Sequence, residues 1–310
     1  MVMVLLSTIM FITGLALLIK GSDILTDHSS NLAKKLGVSQ LVIGITLVAF
    51  STSLPEFAVS IISSLFNVTE IATGTIIGSN IANIGLILGI SSLLLPLASK
   101  REFLHEGYFT LIFTLVVSFF LFVGMGWYAG ITIIVMTILY IQNLLKRKSG
   151  KETRKKTKRV KKNIFKHILF SLIGTIMIIT GAHILVNSTV ELSRFFRVPE
   201  LVISILFIAV GTSLPELSTS VVAAVKKMRG ISIGNILGSN IFNITILGIT
   251  SLLKPIPVTP HVIFIDIPVM IGITLLLLAF MRTGWRISRA EGFVLLCVYA
   301  VFVLTQRFSL

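Results

Sequence analysis

An all-α membrane protein of ten transmembrane helices, in two inverted five-helix repeats with helices 2 and 7 broken at the midplane, is the fold class this sequence predicts. Three observations carry it: the composition, the spacing of long apolar segments and a gapless internal duplication. Of the 310 residues, 55% are hydrophobic and 13% charged, with a mean hydropathy of +0.99. Soluble domains carry about 25% charged residues, so lipid must solvate most of these side chains. The composition excludes a disordered chain, a disulfide scaffold and an ordinary soluble enzyme.

A spanning helix needs about 20 mainly apolar residues to cross the hydrocarbon core. Such segments run over 2–20, 39–65, 70–97, 104–123, 126–145, 167–187, 198–225, 230–253, 258–281 and 288–306. The first lacks a basic start and a small-residue cleavage site, so it reads as a retained helix rather than a signal peptide. With the N-terminus outside, only Arg194, Arg197, Lys254 and Arg307 of the 27 Lys and Arg residues face outward. The Lys/Arg bias of short loops sets orientation, so both termini are expected to be extracellular. The net charge of +15 is then an orientation signal, and no nucleic-acid partner is expected. The basic stretch 146–166 reads as a cytoplasmic linker between a first half, 1–145, and a second half, 167–310.

Residues 14–84 align with 174–244 at a constant offset of 160. Shared Leu and Ile mean little in apolar helices, whereas shared Gly, Pro, Ser, Asn and Glu are informative. Five helices separate equivalent positions, and five is odd. The halves therefore cross the membrane in opposite senses, an arrangement of many secondary transporters, whose substrate site lies near the midplane between repeats.

Three acidic residues lie well inside the predicted spans: Glu56, Glu216 and Asp266. Glu56 closes Ser51-Thr52-Ser53-Leu54-Pro55-Glu56, and Glu216 closes Gly211-Thr212-Ser213-Leu214-Pro215-Glu216. A carboxylate at the bilayer centre costs on the order of 2.5–3.5 kcal/mol, and no basic residue lies at that depth to offset it. Two such costs at matched positions point to a bound cation or proton. Pro55 and Pro215 lack an N–H and clash with the carbonyl four residues back, freeing backbone carbonyls beside the hydroxyls. In lipid such groups must be satisfied, and a cavity holding a cation satisfies them.

A second repeated motif is Gly74-Thr75-Ile76-Ile77-Gly78-Ser79-Asn80-Ile81-Ala82-Asn83, matched by Gly234-Asn235-Ile236-Leu237-Gly238-Ser239-Asn240-Ile241-Phe242-Asn243. Its GxxxG spacing marks close helix packing. Ser79 and Asn83 share one helical face, as do Ser239 and Asn243, and these faces present neutral oxygens to the two carboxylates. Asn80 and Asn240 read as packing or hydrogen-bonding residues. The donor set is all oxygen, which implies hard cations. Ca²⁺ takes 6–8 oxygens in flexible geometry and matches two carboxylates in charge, while several Na⁺ or protons would match them equally well. Charge alone does not choose the counter-ion.

Asp266, which the offset of 160 sets opposite Glu106 near the start of its span, reads as a hydrated or interfacial carboxylate. Cys297 permits no internal disulfide and reads as a packing residue. The histidines, at 28, 105, 167, 183 and 261, form no HExxH or other close pair along the chain.

The paired G-T-S-L-P-E and G-S-N-I-x-N motifs resemble the sodium/calcium exchanger family of the cation/calcium antiporters, in its compact prokaryotic form. The resemblance implies Na⁺/Ca²⁺ antiport by alternating access, with no cofactor and with Ca²⁺ and Na⁺ as transported ions in the cell membrane. It implies Ca²⁺ bound by Glu56 and Glu216 with the carbonyls of Thr52 and Thr212. Flanking Na⁺ sites would use Ser53, Ser213, Ser79, Ser239 and the carbonyls of Ala49 and Ala209, with Asn83 and Asn243 facing the centre. Helices 2–20 and 167–187 would slide over the other eight, in a chain acting as a monomer.

There are departures from the family pattern. Ser51 stands opposite Gly211, Thr75 opposite Asn235, and Asn243 occupies a position that is often aspartate. That loss weakens a role for a third acid in K⁺ or proton binding. Ca²⁺/H⁺ or K⁺-dependent exchange are the alternatives, then a cation channel. No nucleophile–base pair supports a membrane enzyme.

Overall fold

The computed structural model describes residues 2–35, 49–99, 101–149, 164–225 and 229–306. In chain order the helices are α1 (Val2–Lys35), α2 (Ala49–Thr52), α3 (Leu54–Leu65), α4 (Thr69–Ala82), α5 (Gly89–Leu94), α6 (Arg101–Val123) and α7 (Trp127–Ser149). They continue as α8 (Ile164–Phe196), α9 (Glu200–Ile203), α10 (Ala209–Thr212), α11 (Leu214–Val225), α12 (Arg229–Leu253), α13 (Ile267–Arg282) and α14 (Arg289–Thr305). Wide π-helical turns, Asn83–Leu88, Ser204–Ile208 and Val262–Asp266, join α4 to α5, join α9 to α10 and lead into α13.

Helix is present at every predicted span, but the lengths differ. Seven helices among the described residues are long and apolar enough to cross a membrane, or eight when the bent pair Glu200–Thr212 and Leu214–Val221 counts as one span. Residues 39–48 of the second predicted span lie outside the described residues, leaving α2 and α3. Helix α14 has 17 residues. The basic linker falls mainly on 150–163, also outside the description, while Lys146 lies in the last turn of α7 and Lys166 in the first turn of α8.

The first and sixth spans are much longer than 2–20 and 167–187. Helix α1 has 34 residues and α8 has 33, about 50 Å each at 1.5 Å per residue. No proline or left-handed residue stops them where the apolar run ends, and each supports the other along its length. They cross antiparallel on glycines. A methyl group on Gly14 would sit 2.9 Å from the Gly181 carbonyl, and one on Gly21 would sit 2.8 Å from the Gly174 carbonyl.

The core lies on α4 and α12, with α6, α7, α13 and α14 packed around them. Ile76, Ile77, Ile81, Ile236, Leu237 and Ile241 are buried there. The GxxxG reading holds for the first half: a methyl on Gly74 would meet the Leu201 carbonyl at 2.7 Å, and one on Gly78 would meet Ala209 Cβ at 2.8 Å. These contacts bring α4 against α9 and α10.

Two small β contacts stand outside the all-α expectation. Leu97–Ala98 pairs antiparallel with Arg286–Ile287, beside a Ser99 N–H bond to the Trp285 carbonyl at 2.8 Å. The Ile256 N–H donates to Met125 at 3.0 Å. Each ties a loop of one half to a loop of the other. Cys297 is exposed, not packed: α14 buries Gly292, Leu295 and Phe302, and Cys297 lies off that face.

Candidate cation site

Both proline motifs break their helices in the same way. Helix α2 stops at Thr52 and α3 starts at Leu54, with Ser53 between them at φ −84°, ψ 8°. Ser213, between α10 and α11, stands at φ −85°, ψ 6°. The proline ring prevents a straight continuation, and the second pair bends by 41°. Each break sets its Ser at the turn and its Glu in the first turn of the next helix.

The two breaks meet. Glu56 and Glu216 are both 0% exposed. One oxygen of Glu56 accepts from Ser213 at 3.1 Å and from Ser79 at 3.3 Å. One oxygen of Glu216 accepts from Ser53 at 3.3 Å and from Ser239 at 3.4 Å. Each acid thus takes one serine from its own half and one from the other half's break. The second oxygen of each carboxylate has no hydrogen-bond partner among the described residues. An ionised carboxylate left so in a dry interior is costly, which makes those two oxygens natural ligands for a cation.

The remaining predicted residues lie on or next to these broken helices and on or next to α4 and α12, with different partners. Ser79 also donates to the Ala209 carbonyl at 3.2 Å. Thr52 Oγ1 lies 3.5 Å from Ser239 Oγ. The Thr212 hydroxyl turns back to the Ile208 carbonyl at 2.9 Å. Asn83 donates to Asn240 Oδ1 at 2.9 Å, and Asn240 donates to the Asn80 carbonyl at 3.3 Å. Asn240 therefore has the hydrogen-bonding role read from its position. Asn243 is buried with both side-chain polar atoms unpartnered among the described residues, as is Asn83 Oδ1. Ala49 opens α2.

Two features were not legible in the motifs. Asn83 begins a π-helical turn, whereas its mate Asn243 lies in continuous α-helix. Such widened turns occur often at functional sites. Asp266, expected to be hydrated, is 0% exposed. It accepts from Gln306 Nε2 at 2.9 Å and lies 3.5 Å from His261 Nε2. The turn ahead of Pro268 folds the carboxylate inward against the end of α14, contacts no local pattern reveals.

Such a molecule is a multi-span membrane protein with a closed, doubly acidic, all-oxygen centre where two broken helices meet. The sodium/calcium exchanger protein family model matches residues 6–145 and 166–308. The sodium/calcium exchanger MaX1 of Methanosarcina acetivorans is 34% identical over 97% of this chain and 99% of its own length. The inner membrane protein YrbG of Escherichia coli is 33% identical over 93% of this chain and 91% of its own length. A structure of the sodium-calcium exchanger NCX_Mj, soaked with 2.5 mM Na⁺ and 10 mM Sr²⁺, superposes with a TM-score of 0.72 at 30% identity, covering 97% of this chain and 99% of that one. The chain belongs to the sodium/calcium exchanger family.

Proposed function

We propose that this protein is a secondary active antiporter, not an enzyme, that exchanges Na⁺ for Ca²⁺ across the membrane by alternating access. The observation that carries the reading is the pair of fully buried carboxylates from matched motifs, each with one oxygen held by serines and one left for a ligand. Ca²⁺ cancels both charges at once and accepts an irregular oxygen shell. Glu56 and Glu216 bind it with the carbonyls of Thr52 and Thr212. Flanking Na⁺ sites use Ser53, Ser213, Ser79, Ser239 and the carbonyls of Ala49 and Ala209, with Asn83 and Asn243 facing the centre.

Exchange follows from electrostatics. An empty site carries two uncompensated carboxylates through an apolar barrier, whereas a Ca²⁺-loaded or Na⁺-loaded site does not. Reorientation is therefore cheap only when the site is occupied, which couples the two fluxes. The moving part is the pair α1 and α8, sliding over the remaining helices.

The architecture behind this reading is ten spans in two inverted repeats, 1–145 and 167–310, with a cytoplasmic linker at 146–166, both termini extracellular and the monomer as working unit. Support comes from the constant offset of 160, the equal backbone angles at Ser53 and Ser213, and the crosswise serine bonds. The β contacts at Met125 and Trp285, also 160 apart, add to it.

The experiment is Ca²⁺ uptake into proteoliposomes driven by a Na⁺ gradient. Uptake that follows the Na⁺ gradient and vanishes in Glu56→Gln sustains the assignment. Uptake driven equally by a pH gradient without Na⁺ overturns the counter-ion, and full flux in the variant overturns the site.

A further inference from the structure

The seam between α1 and α8 has a period of seven. Gly14 faces Gly181 and Gly21 faces Gly174, so each step of seven along α1 is a step of seven back along α8. One further step brings His28 opposite His167, residues 139 positions apart in the chain. Their Nδ1 atoms lie 3.0 Å apart. At the far end the same step sets small residues, Ser7 and Ser188, and Ser7 is bonded to Glu191 at 2.5 Å. The histidines therefore break an otherwise small-residue seam at one end only.

The two rings are also held. Phe170, one turn beyond His167, stacks on the His28 ring at 4.7 Å between centroids and 19° between planes. Lys166 Nζ lies 5.7 Å from the centre of the Phe170 ring on the same patch. Both histidines are half-buried, so water and ions reach them.

We propose that His28 and His167 form a binding site for one divalent transition-metal ion, Cu²⁺ or Ni²⁺, distinct from the Ca²⁺ and Na⁺ centre. At the ~2.0–2.1 Å typical of metal–imidazole bonds, nitrogens 3.0 Å apart subtend roughly 91–97° at a shared ion. That is close to the angle between neighbouring ligands of a tetragonal or octahedral ion and narrower than the tetrahedral angle Zn²⁺ prefers. Imidazole nitrogen suits such ions, and Cu²⁺ and Ni²⁺ stand high in the general affinity order. Without metal, the ring whose Nδ1 carries a proton donates to the other. On binding, that proton moves to Nε2, so both Nδ1 lone pairs face the ion and no net proton is released. Water completes the shell. The bound ion would tie α1 to α8 at one end of their seam.

The test uses the full-length protein without a polyhistidine tag, with Ca²⁺ saturating so that the acidic centre is filled. Cu²⁺ titration followed by electron paramagnetic resonance is expected to show one equivalent with hyperfine structure from two imidazole nitrogens. Ni²⁺ is expected to raise the thermal midpoint, as any ligand of the folded state does. His28→Phe and His167→Phe each lose at least tenfold in Cu²⁺ affinity and the Ni²⁺ shift, while His183→Phe keeps both. Na⁺-driven Ca²⁺ uptake without added metal stays within twofold in His28→Phe, which also reports that the variant folds. Where a Phe variant does not fold, the Gln variant replaces it. A signal from a single imidazole, or stoichiometric binding that persists in both variants, overturns the site.

Discussion

The helical runs Thr69–Leu94, begun by α4, and Ile233–Leu253, within α12, differ from α1 and α8 in what surrounds them, although all four are apolar and long. Over an apolar stretch of 18 residues in each, 83% is buried within Thr69–Leu94 and 78% within Ile233–Leu253, against 22% of Val4–Gly21 and 29% within Phe165–Phe196. The first pair carries Ser79, Asn83, Ser239 and Asn243 and is enclosed on all sides. The second pair faces lipid over most of its surface and packs chiefly on itself. Shifting an enclosed helix means repacking a dense interior, which is costly per methylene. A lipid-facing pair exchanges one apolar neighbour for another. On the proposed mechanism, the serines and asparagines of these enclosed helices stay in place while the lipid-facing pair moves.

The comparison can be broken first at the acids. Glu56→Gln or Glu216→Gln keeps the shape but removes half the charge opposing Ca²⁺. Removing one partner of a buried charge pair costs about 3–5 kcal/mol, a loss of ~100-fold or more in Ca²⁺ affinity, measured as Ca²⁺-dependent uptake in proteoliposomes.

The serines come next. Ser213→Ala removes the 3.1 Å donor to Glu56 from the opposite half. A hydrogen bond to a charged group is worth about 1.5–3 kcal/mol, so Na⁺ or Ca²⁺ affinity should fall about tenfold or more, and Ser53→Ala should act alike on Glu216. Isothermal titration reads both. An effect confined to one of the two serines would show that the halves are not equivalent.

A seam variant sharpens the contrast between binding and movement. A methyl on Gly14 would sit 2.8 Å from the Leu185 backbone nitrogen, a contact that only separation of α1 and α8 relieves. Gly14→Ala should lower transport rate by about 5- to 100-fold, the equivalent of an overpacking cost of about 1–3 kcal/mol. Ca²⁺ affinity at equilibrium should stay near wild type. Equal loss of affinity would mean that the seam shapes the site directly.

The smallest effect belongs to Gly272, around which nothing lies within 4 Å of an added methyl. Gly272→Ala should leave uptake unchanged and raise thermal stability slightly, since Ala is favoured over Gly by up to about 1 kcal/mol in a helix.

Much of this molecule was legible along the chain. The prolines at 55 and 215 located both helix breaks, because a missing N–H acts locally. The matched acids and serines were visible because the duplication repeats them. The glycines at 74 and 78 announced a close helix approach. Less legible were partners supplied by remote segments. Ser213 serving Glu56, and Ser53 serving Glu216, follow from how the halves interlock. The same holds for Asp266, read as hydrated and found enclosed beside Gln306 and His261.

The sequence by itself determined that the chain is helical and membrane-embedded, where its helices break and which polar residues must find partners in lipid. Those properties rest on hydropathy, ring geometry and desolvation cost, which act on each residue where it stands. Only the tertiary structure decided that α1 and α8 run on well past their apolar stretches, that π-helical turns widen the helix at Asn83 but not at Asn243, and that His28 meets His167. These depend on the register between segments more than a hundred residues apart, and register is fixed by packing, which no single segment contains.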